Sequence, residues 1–232
     1  MTLARRLVAE ALGTAFLLAI VIGSGIMGDR LAGGNIAIAL LGNTLATGAG
    51  LVVLILVFGP VSGAHFNPAV TLAMAMRGQL VWRLAPPYVL AQILGAFAGV
   101  AAAHLMFQEP LFFASQNVRA GPAQWWSEFI ATFGLLAAIL GCLRHRPEAI
   151  PYAVGLYITA AYWFTASTSF ANPAVTLARA ASDTFAGIRP VDAPMFIVAQ
   201  LVGAMAAVGV LGWLFLEKHN KADANEWAKN GE

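Results

Sequence analysis

Asn67-Pro68-Ala69-Val70-Thr71-Leu72-Ala73 recurs letter for letter as Asn172-Pro173-Ala174-Val175-Thr176-Leu177-Ala178. Both copies lie in long uncharged runs: no Lys, Arg, Asp or Glu occurs between Arg30 and Arg77, or between Glu148 and Arg179. Each run exceeds the roughly 20 residues that one membrane span requires. Asn suits a helix cap, and Pro suits the first helical turn, where its missing N–H is no loss. Each surplus therefore predicts a loop followed by a short helix that starts at the motif and does not cross the bilayer.

The rest of the chain agrees with a membrane setting. Its 232 residues are 59% hydrophobic and only 10% charged, whereas soluble domains carry about 25% charge. So few charges cannot cover a water-facing surface. Charged residues punctuate apolar runs that predict spans at 4–27, 35–59, 82–107, 124–143, 149–166 and 192–216, with Glu128 inside the first turns of the fourth. The expected fold is an all-α membrane protein: six transmembrane helices plus two re-entrant half-helices, in one domain covering 1–232, with 217–232 as a cytoplasmic tail. The basic start and apolar run of the N-terminus resemble a signal peptide. The length of that run and Glu10 near its start favour a retained first helix. Cys142 is the single cysteine, so neither an intrachain disulfide nor a Cys cluster for metal is expected. No cofactor is expected, and no basic stripe points to nucleic acid.

The repeat extends beyond the motif. The stretch from Ala9-Glu10 to Leu17-Leu18 matches that from Ser127-Glu128 to Leu135-Leu136, and Ala91-Gln92-Ile93-Leu94-Gly95-Ala96 matches Ala199-Gln200-Leu201-Val202-Gly203-Ala204. The halves, about 4–107 and 124–216, each hold three spans, an odd number, so the second is inverted relative to the first. Inverted repeats with broken helices place the transport site near the midplane between the halves. With both termini cytoplasmic, the inner segments hold Arg5, Arg6, Arg77, Arg83, Arg144, Arg146, Lys218, Lys221 and Lys229. The outer ones hold only Arg30, Arg119, Arg179 and Arg189, which satisfies the positive-inside rule.

Half-helices entering from opposite faces bring their N-termini together at the midplane. Those ends carry partial positive charge and unpaired N–H groups. Asn67 and Asn172 add amide donors. The result is a donor-rich constriction without a fixed side-chain charge, suited to the oxygen of water or a polyol and repellent to cations and protons.

Ser62-Gly63-Ala64-His65-Phe66-Asn67-Pro68-Ala69-Val70-Thr71 resembles the first signature of the aquaporin and aquaglyceroporin (major intrinsic protein) family. The second Asn-Pro-Ala, the paired Glu residues and the two Ala-Gln-x-x-Gly-Ala segments fit as well, so the resemblance covers about residues 5 to 216. It implies the aquaporin fold, a pore in each subunit and a homotetramer in the cell (plasma or inner) membrane. The partners implied are membrane lipid and small neutral solutes; a membrane enzyme is not expected, because no His/Asp/Glu cluster recurs at useful spacing. Half-helix dipoles are a known device of aquaporin-type selectivity.

One position departs from the family pattern. Members usually carry Arg directly after the second Asn-Pro-Ala, where it forms the narrow outer filter; here it is Val175. Counting from the motifs places the other filter positions at Thr47, Ala160 and Ser169, where water-selective members carry an aromatic residue and a His at the Thr47 and Ala160 positions. Four small residues imply a wide filter without a fixed cation. The pattern resembles a bacterial branch of aquaglyceroporin-like channels associated with arsenic resistance, which pass arsenite and related neutral arsenicals.

Other residues carry two readings each. Glu10 and Glu128 are either a proton relay or acceptors for the loop N–H groups of their own halves, the role that the family implies. His65 either lines the inner vestibule or packs beneath it. Gly95, Gly99 and Gly203 read as close helix contacts, with a gating hinge as the alternative; the tryptophans, among them Trp227, as interface anchors or packing rather than ligands; and Cys142 as a small core residue, with an arsenical-binding thiol as the alternative. Arg179 reads as a snorkelling interfacial side chain, with a displaced filter charge as the alternative. The rival function is an ion-coupled secondary transporter with inverted repeats, which requires coordinating carboxylates at the midplane.

Overall fold

The computed structural model describes residues 1–215; the expected tail, with Lys218, Lys221, Trp227 and Lys229, lies outside the described residues. The described residues are helical and contain no strand. In chain order the helices are α1 (Leu3–Leu31), α2 (Ile36–Ser62), α3 (Pro68–Met76), α4 (Ala85–Phe107), α5 (Pro122–His145), α6 (Ile150–Phe164), α7 (Pro173–Arg179) and α8 (Ala193–Leu214). Helices α3 and α7 are the two short ones that begin at the repeated motif. Five of the described helical segments are long and apolar enough to cross a membrane. The expected span at 149–166 is the shorter α6, preceded by a 3₁₀ turn at Pro147–Ala149.

Around an apolar core, the burial pattern departs from that of a soluble protein at both extremes. Glu10, Asn43, Gln92, Glu128 and Gln200 are buried, while Leu45, Val53, Leu90, Leu94 and Trp213 are exposed. Such an arrangement is stable where the surroundings are apolar and buried polar groups find partners inside the bundle.

The two repeats have matching contacts. Helix α1 packs on α2 and α4, and α5 packs on α6 and α8; α2 against α6 joins the halves. At the α1–α4 crossing a Cβ on Gly95 or Gly99 would run into the carbonyl oxygens of Ala11 and Ala15, and Gly203 faces the Phe129 carbonyl of α5 in the same way. Small residues let these backbones approach. Each half-helix touches both α4 and α8, and α3 meets α7.

The long segment 108–121 runs beside residues 180–192. The N–H groups of Phe113 and Ser115 donate to the Ala181 and Ala180 carbonyls, and that of Arg189 donates to Asn117. The Arg119 N–H donates to the Asp192 carboxylate. This strapping fixes the loop that follows α7.

Candidate functional site

Each half-helix starts as its residues dictate: Asn in extended backbone, then Pro in the first turn. Asn67 Oδ1 accepts from the Ala69 N–H at 2.8 Å, and Asn172 Oδ1 accepts from Ala174 at 3.0 Å and Val175 at 3.3 Å. The amide nitrogens reach across the centre. Asn67 Nδ2 donates to the Ala171 carbonyl at 2.7 Å, and Asn172 Nδ2 donates to the Phe66 carbonyl at 2.8 Å. Each amide group has two hydrogens, and one such bond leaves the second free.

The loops ahead of these caps are held in a costly conformation. Ala64 and Phe66, and correspondingly Ser169 and Ala171, have φ between +46° and +50°. The left-handed region costs roughly 1–2 kcal/mol per non-glycine residue. Two buried carboxylates offset this. Glu10 accepts from the His65 and Phe66 N–H groups, the Ser62 hydroxyl and Gln92 Nε2. Glu128 accepts from the Phe170 and Ala171 N–H groups and Gln200 Nε2. Gln92 and Gln200 each donate also to the threonine of the adjoining half-helix, Thr71 and Thr176. Every partner of the two carboxylates is a donor, so their lone pairs are committed to the loops. The roles of the glutamines and threonines were not read from the sequence, although the aligned Ala-Gln-x-x-Gly-Ala segments carried the signal.

A cavity of about 480 Å³ runs past both motifs, from Arg6 and His65 at one end to Tyr162, Phe170 and Arg179 at the other. Its lining combines polar groups, among them Asn67 and Asn172, with apolar side chains such as Leu17, Leu51, Leu135, Val154 and Ile158. His65 lines the end that holds Arg6, in contact with Thr71 Oγ1 at 3.1 Å through Nδ1 and packed beside Tyr88. It both lines the lumen and packs.

Thr47, Ser169 and Val175 line this cavity. Ala160 does not. It is exposed on the outer face of α6, whereas Val154, Ile158 and Tyr162, four residues apart, face inward. At about 100° per residue, Ala160 is roughly 200° round from Ile158. Tyr162 takes the α6 place instead and donates its hydroxyl to Thr47 Oγ1 at 3.4 Å. The expectation for Arg179 is overturned too: it does not snorkel at an interface but is 2% exposed and forms part of the cavity wall. The lumen there is lined by a large phenol and a guanidinium as well as by small side chains. Arg119, read only as an outer charge, crosses from the strapping loop to the Gly187 and Ser167 carbonyls.

Inverted three-helix halves, capped half-helices meeting at the centre and a lumen between them define a membrane channel of the aquaporin fold. The chain belongs to the major intrinsic protein family, whose description matches residues 1–149 and again 145–231. It is 59% identical to the aquaglyceroporin AqpS of Rhizobium meliloti (strain 1021) over 212 residues, 91% of each chain. It is 33% identical to the aquaporin NIP1-1 of Zea mays over 210 residues, 87% of this chain and 72% of that one. The X-ray structure of the aquaglyceroporin from Plasmodium falciparum superposes with a TM-score of 0.69 at 21% identity, covering 90% of this chain and 95% of the other. That likeness is one of fold. The family is one of channels for water and glycerol, and the chain is accordingly a multi-pass membrane channel.

Proposed function

We propose that the chain passively conducts small neutral solutes: water, glycerol-like polyols, and neutral trihydroxy arsenic species of the arsenite type. The carrying observation is the composition of the lumen. The centre offers amide donors and half-helix N-termini, and among the described residues no Asp or Glu lines the cavity. Donors at the centre pair with solute hydroxyl oxygens while the apolar lining residues accommodate C–H surface, a combination that suits a polyol. A cation meets positive helix ends and no compensating carboxylate. The same feature weighs against an ion-coupled transporter, whose coupling ion needs acceptors at the midplane.

Val175 supports a filter built differently from the usual Arg-bearing one, with Thr47, Ser169 and Tyr162 as its neighbours. Thr47 and Ser169 are small, which favours solutes larger than water. The similarity to an aquaglyceroporin points the same way. We assign the chain to the plasma membrane with both termini cytoplasmic, on the distribution of Arg and Lys, and to a homotetramer with one pore in each subunit.

Stopped-flow measurements on proteoliposomes with water, glycerol, urea and undissociated arsenite test the reading. Glycerol and arsenite should permeate well above protein-free vesicles. Permeation by water alone would contradict it.

A further inference from the structure

Helix α7 has turned into the lumen a side chain that the residue count did not put there. Val175 and Arg179 are four residues apart, hence on one face of α7, and both line the cavity. Helical side chains lean toward the N-terminal turn, so the Arg179 side chain leans back along α7 toward the turn that bears Val175. Its guanidinium carbon lies over the Phe170 ring, 3.3 Å from the centroid. Nε donates to the Ala186 carbonyl, and Tyr162 lines the same cavity. Among the described residues no carboxylate pairs with it. The buried carboxylate of the same half, Glu128, is already engaged by two N–H groups and Gln200.

We infer that Arg179 is the outer filter cation of this pore, delivered from one turn beyond Val175, and that with Tyr162 and Thr47 it sets which solutes pass. The inference deepens the channel reading above and rests on it. Arg119 strengthens the same field: its guanidinium lies 5.1 Å from the Phe170 ring and contacts Thr168. The planar fork of Arg179 has more N–H groups than its protein partners take up, and the remainder are donors for solute hydroxyl oxygens. The charge repels cations at the level where the usual family Arg acts, while the side chain at position 175 stays short. The filter therefore combines cation exclusion with a wider passage.

Two arms test this. In the first, parent, Arg179→Gln and Arg179→Lys proteins are reconstituted, and leak of protons and potassium is measured beside glycerol uptake. Arg179→Gln should raise the cation leak about tenfold, as expected for removing one nearby charge at intermediate dielectric, and Arg179→Lys should restore exclusion. A correctly assembled Arg179→Gln protein with unchanged leak would reduce the residue to a clamp on Ala186 and overturn the inference.

The second arm leaves Arg179 in place, so it decides the matter even where Arg179→Gln does not assemble. Val175→Cys in a Cys142→Ala background is alkylated with iodoacetate or iodoacetamide. Beside a fixed guanidinium the anionic reagent is favoured, and the iodoacetate-to-iodoacetamide rate ratio at Val175→Cys should exceed that at Val70→Cys about tenfold. Val70 is the matching first-turn position of α3, which shares the helix-end field and lines the same cavity. A ratio at or below that of Val70→Cys overturns the inference, as does failure of both reagents to react at Val175→Cys, since Val175 and Arg179 would then share no open lumen. The alkylation rates require no flux, so failure of this inference and failure of the channel reading are distinguishable.

Discussion

Asn67 and Asn172 hold each other's loops: each amide nitrogen donates to the carbonyl of the residue just before the other asparagine, at 2.7 and 2.8 Å. The two half-helix ends are thus tied reciprocally, and neither loop can shift without loosening the other. The same side chains cap their own helices through Oδ1. An acceptor-only side chain can keep the cap but not the cross-link.

Asn67→Asp or Asn172→Asp therefore has two effects. The carboxylate faces a carbonyl where a donor stood, which costs on the order of 1–3 kcal/mol, and it neutralises the positive helix ends. Lower thermal stability in detergent and a higher cation leak in vesicles are expected together. A double Asp variant with parent stability and parent leak would separate these asparagines from the pore.

Glu10 meets four donors and Glu128 three. Replacing either by Gln sets an NH₂ group against donors and strands at least one loop N–H in left-handed backbone. At about 1–3 kcal/mol per unsatisfied buried group, and 2–4 °C per kcal/mol for a chain of this size, melting should fall by roughly 2–12 °C. A proton-relay role would instead leave melting unchanged and make flux depend on a proton gradient.

The rotation of α6 gives a sharp pair of variants. Ala160→Trp adds bulk to the outer face and should leave water and glycerol permeability at parent values. Ile158→Trp adds the same bulk to the lumen wall and should lower glycerol permeability severalfold. Equal effects on the pore from both, measured by stopped flow at equal incorporation, would contradict the placement of Tyr162 and Ile158.

How far the residues could be read in advance follows from locality. The half-helices, the inverted repeat and the asparagine caps were legible because Asn-Pro at a helix start and long uncharged runs act locally. Gly95, Gly99 and Gly203 announced close crossings, which they make. The azimuth of α6 was not legible: a count back from Asn172 passes through the loop at 165–171, where left-handed residues alter the path, and an error of two residues turns a helix by about 200°. Ala160 was misplaced for that reason. Arg179 was hidden because an arginine near the end of an apolar run normally reaches for water. Here Phe170 and the Ala186 carbonyl, both distant from helix periodicity, receive it inside.

Val175→Arg places a second guanidinium one turn from Arg179. The lumen narrows and gains charge, so glycerol permeability should fall more than water permeability, with some loss of stability from crowding two cations. Stopped-flow ratios for parent and variant check this. An unchanged water-to-glycerol ratio would remove Val175 from the filter.

The central claim is passive conduction, and it is tested most directly by glycerol and water flux in proteoliposomes carrying an imposed proton or sodium gradient. The account predicts flux that follows only the solute's own gradient and stops at equal concentrations, with or without the ion gradient. Uphill accumulation of solute that collapses when the ion gradient is dissipated would contradict it.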